Sequence, residues 1–266
     1  MILHARWQGH RRSCKPTLVW LHGFLGSADD WLPAQQAFPD WPMLSIDLPG
    51  HGGSRSQRVS GFDALCEQLS ATLRHHQVRK YWLIGYSLGG RVAMYYACRA
   101  ALPGLCGLAV EAGHPGLRDA RERQARLAHE RRWIARFRDL PLAAALEAWY
   151  RQPLFAELCG KQRSELVAQR SVGHGPSLAA MLHATALSRQ PDLLPELRAL
   201  QVPFGYLCGE WDSKFLQLAQ QARLPLHTIA AAGHNAHRAS PVEFSLSLAQ
   251  LLRQPVCSYG GCNALF

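Results

Sequence analysis

No run of this 266-residue chain approaches the roughly 20 consecutive apolar residues that span a bilayer. The opening Met1-Ile-Leu-His-Ala-Arg-Trp7 has no charged leader followed by an apolar stretch, so it does not read as a signal peptide. A soluble cytoplasmic protein without a membrane partner is expected. The eight cysteines contain no C-x-x-C pair, which argues against a zinc site. Several, such as Cys106 and Cys208, sit inside apolar segments and read as small buried hydrophobes of a reducing compartment. There is no phosphate loop, no dinucleotide fingerprint and no metal-ligand cluster, so neither cofactor nor metal is expected. The net charge is +10, yet no Lys/Arg tract with interleaved aromatics appears, and a nucleic-acid partner is not expected.

What is present is a β/α alternation. Buried strands are predicted over 17–21, 43–47, 81–85 and 107–111. Helical spacing runs over 62–76 and 89–101. From about Gly116 to Gln190 no strand is convincing. That stretch reads as an inserted helical cap rich in arginine, broken at Pro141, Pro153 and Gly173-His-Gly-Pro176. The alternation resumes with strands over 203–208 and 226–229 and a closing helix over 241–253. The expected organisation is a core in two parts, 1–115 and 191–254, around a cap at 116–190, with a disordered tail at 255–266. The mainly parallel sheet is covered by helices on both faces.

Gly85-Tyr-Ser87-Leu-Gly89 lies between a predicted strand and a predicted helix, the context of a nucleophile elbow. Glycines at 85 and 89 leave room for a sharp turn, and the Leu88 N–H falls at a helix N-terminus that favours negative charge. His22-Gly-Phe24, ending the first buried strand, offers the Phe24 N–H as a second oxyanion donor. A serine so placed needs a histidine and an orienting acid, in the chain order Ser, acid, His. Asp212 in Gly209-Glu-Trp-Asp212 is favoured over Glu210. His234 in Gly233-His-Asn-Ala-His237 is favoured over His237. Asp47 and His51 read as braces of their glycine-rich loop rather than as chemistry. Most of the cap arginines read as a solvated helix face. A cap so biased toward guanidinium still suits a small, multiply anionic ligand.

Beyond these motifs, Asp47-Leu-Pro-Gly-His-Gly-Gly-Ser54, Gly85-Tyr-Ser-Leu-Gly-Gly-Arg-Val-Ala-Met94, Glu111-Ala-Gly-His-Pro-Gly-Leu117, Cys208-Gly-Glu-Trp-Asp-Ser-Lys-Phe215 and Ala232-Gly-His-Asn-Ala-His-Arg238 together resemble the 2-succinyl-6-hydroxy-2,4-cyclohexadiene-1-carboxylate synthases of menaquinone biosynthesis, members of the α/β-hydrolase superfamily. The resemblance runs from residue 1 to about residue 253. It implies an α/β-hydrolase fold used by a lyase that eliminates pyruvate from 2-succinyl-5-enolpyruvyl-6-hydroxy-3-cyclohexene-1-carboxylate. The family's serine, acid and histidine fall on Ser87, Asp212 and His234. Its carboxylate-binding arginines fall on Arg91, Arg126 and Arg170, with Arg123 a rival to Arg126 one helical turn away. Tyr86 and Trp149 match pocket-lining positions. A monomer acting on a tricarboxylate is expected. The alternative is a serine hydrolase of an anionic ester, thioester or carbon–carbon bond.

Overall fold

A computed structural model describes residues 1–254 of the chain, Arg12 and Leu102 excepted. The tail at 255–266, expected to be disordered, lies outside the described residues together with Cys257 and Cys262. Seven strands, β1 (Ala5–Gln8), β2 (Thr17–Leu21), β3 (Met43–Ile46), β4 (Tyr81–Tyr86), β5 (Leu105–Glu111), β6 (Phe204–Gly209) and β7 (Leu226–Ile229), form a sheet in the order β1-β3-β2-β4-β5-β6-β7. Only β1 pairs antiparallel, with β3; the remaining neighbours are parallel. The α-helices are α1 (Leu32–Gln35), α2 (Phe62–His75), α3 (Leu88–Arg99), α4 (Ala120–Asp139), α5 (Leu142–Trp149), α6 (Gly160–Arg170), α7 (Gly175–Ala184), α8 (Leu194–Arg198), α9 (Ser213–Ala222), α10 (Ala236–Ala239) and α11 (Pro241–Leu252).

The inner strands are continuous apolar runs because both sheet faces are covered. Their side chains alternate. Val19, Leu21, Leu83, Leu108, Val110 and Tyr206 face a cluster built with α2, α3 and α9. Leu18, Trp20, Trp82, Ile84, Ala109 and Leu207 face Trp31, Phe38, Phe244, Leu248 and Leu251 on the other side. The apolar stripe Phe62, Leu65, Leu69 and Leu73 of α2 is wholly buried, as its spacing predicts. Strand β1 was not foreseen. Its four residues are at most half-buried at the sheet's edge, so they show no apolar run.

Helices α4 to α7 lie between β5 and β6 and pack around Trp133, Phe137, Leu146, Tyr150, Leu166 and Leu178. The Asp119 carboxylate caps α4 by accepting from the Arg121 and Glu122 N–H groups, and Pro141 follows its end. The cap is tied to the core by an ion pair. Arg170, at the end of α6, donates from one terminal nitrogen to both carboxylate oxygens of buried Asp30, at 2.6 and 2.7 Å. Arg238 adds a third contact at 3.1 Å. Burial opposes the Asp30 charge, but the two guanidinium groups outweigh it and hold the carboxyl below its usual range. The loops after β2, β4, β5, β6 and β7 thus open beneath the cap at the carboxyl edge of the sheet, where ligands bind in open α/β folds.

The approach of α3 to the sheet is tight. A Cβ on Gly89 would lie 2.2 Å from the Leu21 carbonyl oxygen, and one on Gly85 would lie 2.4 Å from the Gly89 carbonyl oxygen. Both obstacles are backbone and cannot swing aside. Gly89→Ala is therefore expected to destabilise the fold by about 3 kcal/mol, read as a lower urea midpoint. An unchanged midpoint would show that α3 stands further from β2.

Candidate active site

Ser87 joins β4 directly to α3 and takes φ +50°, ψ −105°, a left-handed backbone that side chains rarely adopt. The turn lifts Oγ clear of the sheet. His234, in the loop after β7, brings Nε2 to 3.3 Å from Ser87 Oγ. Its Nδ1 lies 2.6 Å from Asp212 Oδ2, so Nδ1–H donates to Asp212 and Nε2 is left to accept from the serine. Asp212 is buried and also accepts the Phe215 N–H at the start of α9. The imidazole is packed between the rings of Phe215 (4.9 Å), Tyr86 (5.3 Å) and Phe155 (6.0 Å), the last contributed by the cap. Glu210 is exposed, and His237 is engaged elsewhere: its Nδ1 lies 2.7 Å from Glu111 Oε2 in a fully buried pair.

The loop that carries Phe24 is held by two uncharged histidines. His51 donates Nδ1–H to the Pro49 carbonyl and accepts the Leu25 N–H on Nε2. His22 donates Nδ1–H to the Gly23 carbonyl and accepts the Leu48 N–H on Nε2. Each ring uses one nitrogen as donor and the other as acceptor, which only the neutral form does. Burial pushes His51 down to about 3 and lowers His22. Asp47 completes the brace, accepting from the Ala28 and Gly53 N–H groups while His4 Nδ1 lies 2.8 Å away. Burial opposes its charge, but the hydrogen bonds from Ala28, Gly53 and His4 keep the carboxyl low. The Leu88 N–H, first in α3, has no acceptor within its own helix.

Ser87 and His234 open into a cavity of about 350 Å³ that Phe24, Leu88, Arg91, Arg126, Trp149 and Lys214 also line. Arg91 is buried and fixed, Nε to Gln190 Oε1 and one terminal nitrogen to the Thr185 carbonyl, both at 2.6 Å. Burial, and then neighbouring Arg126, lowers the Arg91 guanidinium to about 9. Arg126 reaches the cavity from the cap and donates Nε–H to Glu130 at 3.0 Å. Glu130 is otherwise satisfied by the Leu187 and Ser188 N–H groups and by Ser188 Oγ. Arg123 lines a separate surface cleft. Trp149 packs on Phe24 and Trp133, forming an aromatic wall.

Two expected site residues are placed differently. Arg170 does not line this cavity, because its guanidinium is held by Asp30. Tyr86 is buried behind His234, with its hydroxyl donating to Asn235 Oδ1; it supports the imidazole and does not line the cavity. Sequence reasoning gave no role to His114, Glu130 or Lys214, which do line it. Glu130 had a local signal, standing four residues after Arg126 on one helix face.

A family model described as the alpha/beta hydrolase fold matches residues 16–236. A Yersinia pestis (strain Pestoides F) protein named 2-succinyl-6-hydroxy-2,4-cyclohexadiene-1-carboxylate synthase is 55% identical over 242 residues, covering 91% of this chain and 89% of its own. A protein of the same name from Yersinia pseudotuberculosis (serotype IB, strain PB1/+) is equally similar. Among solved structures, MenH from S. aureus superposes with a TM-score of 0.85 at 27% identity, covering 94% of this chain and 98% of that one. An enol-lactonase from Burkholderia xenovorans LB400, at 19% identity and a TM-score of 0.76 over 95% of this chain and 96% of that one, shows the shared fold alone.

The neutral histidines give the fold an acid sensitivity. With a folded value near 3 against an ordinary 6.5, His51 binds no proton in the native state where the unfolded chain does. Its contribution is complete above about pH 6.5 and is lost as pH falls toward 3, by about 1.4 kcal/mol per pH unit. Urea midpoints are expected to drop between pH 7 and pH 5, and His51→Gln should flatten that slope. Equal slopes in the two proteins would refute the neutral assignment.

Proposed function

The chain belongs to the 2-succinyl-6-hydroxy-2,4-cyclohexadiene-1-carboxylate synthases of the α/β-hydrolase superfamily, and we propose that it forms that product in menaquinone biosynthesis by eliminating pyruvate at the Ser87 cavity. One observation carries this reading: Arg91, Arg126 and Lys214 line the same cavity as Ser87 and His234. An enzyme for neutral esters has no use for that convergence, whereas a tricarboxylate needs it.

In the proposed mechanism Ser87, His234 and Asp212 act as a proton relay. Ser87 Oγ takes the proton from ring carbon 2, next to the succinyl ketone, as its own proton passes to His234 Nε2. Asp212 stabilises the imidazolium that results. The freed electron pair first resides on the ketone oxygen as an enolate, to which the Phe24 and Leu88 N–H groups donate as they would to a tetrahedral oxyanion. The enolate then collapses. The ketone re-forms, a ring double bond appears between carbons 2 and 3, the original double bond moves to carbons 4 and 5, and the carbon–oxygen bond to the enolpyruvyl group breaks. The departing enolate takes up a proton and leaves as pyruvate. Trp149 and the neighbouring aromatic rings keep the reacting face dry, which strengthens each of these interactions. We place the reaction in the cytoplasm, where Cys66, Cys106 and Cys208, built into the core as free thiols, stay reduced.

Incubation with the enolpyruvyl cyclohexene tricarboxylate is expected to release pyruvate, and Ser87→Ala to slow release about a thousandfold or more. Arg126→Ala should weaken kcat/KM about ten- to hundredfold, the cost of one hydrogen bond to a charged group. Its fold should survive, because Glu130 keeps its Leu187 and Ser188 donors. No pyruvate from folded protein would overturn the proposal in favour of hydrolysis of an anionic ester or thioester. A productive acyl intermediate trapped on Ser87 would overturn the role of the serine as a base.

A further inference from the structure

The Gly113-His114-Pro115-Gly116 stretch after β5 is not used by the proton relay, yet it is built with unusual care. Gly116 has φ +120°, and a Cβ there would lie 2.0 Å from the Pro191 carbonyl oxygen, so this backbone position admits glycine alone. Its N–H donates to His114 Nδ1 at 3.1 Å. The His114 carbonyl accepts from Gln190 Nε2 at 2.8 Å, and the same Gln190 accepts Arg91 Nε–H through Oε1 at 2.6 Å. Gln190 is fully buried. One glutamine therefore fixes His114 and Arg91 relative to each other.

Nδ1 is an acceptor here, so the proton sits on Nε2. Among the described residues Nε2 meets no hydrogen-bond partner, although the side chain lines the Ser87 cavity. His114 and Lys214 also line an adjoining cleft between the Pro115–Asp119 loop and α9, so the two side chains stand together at the boundary of both spaces. Burial chiefly keeps the imidazole neutral, and Arg91, Lys214 and Arg126, which all bear on the ring, add to it, with Asp192 the opposing acid. A neutral donor set among cations and facing a cavity is suited to an anionic oxygen. With Arg170 held by Asp30, the cavity carries two arginines for a ligand with three carboxylates.

We propose that His114 is a further substrate-binding residue, its Nε2–H and the Lys214 ammonium together receiving a ligand carboxylate at the boundary between the cavity and the adjoining cleft. The choice of the third carboxylate rests on the tricarboxylate reading above; the donor geometry does not. Gln190 is the positioning residue of this subsite. Because the contact is made to a carboxylate and not to the ketone or the bonds that break, it supports binding more than turnover.

The test pairs turnover with a binding measurement that needs none. His114→Ala is expected to raise KM for the tricarboxylate about tenfold or more with a smaller change in kcat. It should also weaken calorimetric binding of succinate, used as a simple carboxylate probe, by a similar factor. His114→Gln, whose amide N–H reaches near the position of Nε2–H, should recover most of both losses. A His114→Ala variant with wild-type KM, or wild-type protein that binds succinate no better than that variant, overturns the proposal. So does a folded His114→Gln variant as impaired as His114→Ala, since ring shape would then matter and not the donor. Succinate binding that depends on His114 in protein that releases no pyruvate would leave this subsite standing and overturn the lyase reading alone.

Discussion

Helix α3 begins where β4 stops, with Ser87 alone between them, and that abrupt junction is possible because the chain presents bare backbone at Gly85 and Gly89. Positive φ at Ser87 costs about 1–3 kcal/mol. The cost is offset by what the contact permits: α3 lies against the end of β2, its first residue lines the cavity with an N–H that has no acceptor in the helix, and Oγ stands above the sheet. The other parts of the site are referred to this point. His234 is positioned by the loop after β7, Asp212 by that after β6, Phe24 by that after β2. In the sheet β2 adjoins β4 and β6 adjoins β7, with β5 joining the two pairs in one parallel run, so a single layer of backbone hydrogen bonds sets their mutual distances.

Much of this was legible in the sequence, and the reasons are physical. Inner strands of a doubly covered sheet must be apolar on both faces, so Thr17–Leu21 and Tyr81–Tyr86 announce themselves. A strand–serine–helix junction needs glycines at fixed offsets, so Ser87 does too. The brace role assigned to Asp47 and His51 also follows from their place in a glycine-rich turn, and both do hold that turn. Strand β1 escaped because an edge strand carries little apolar signal.

Direction was the illegible quantity. Spacing shows that the cap is rich in arginine but not which way each side chain points. Arg126 turns inward because Glu130, one helical turn on, receives its Nε–H. Arg170 turns to Asp30, a partner 140 positions away that no local pattern reveals. The same holds for histidine protons. Nothing in Gly113-His-Pro-Gly116 states which ring nitrogen is protonated; that is decided by where the Gly116 N–H points once the chain has turned.

The two histidines under the Phe24 loop are neutral, and the proposed oxyanion donors, the Phe24 and Leu88 N–H groups, are backbone dipoles. The full positive charges of the cavity, on Arg91, Arg126 and Lys214, belong to the wall formed by α3, α4 and α9. The cavity is therefore electrically lopsided, with ions along one wall and only partial charges at the serine. On the proposed reaction, a ligand bearing several permanent negative charges would be sorted on entry, its carboxylates settling on the ionic wall and its uncharged ketone left to face the dipoles. On that reading charge appears at the serine end only when a proton has been removed, so the polarity of the cavity encodes which end of the molecule reacts.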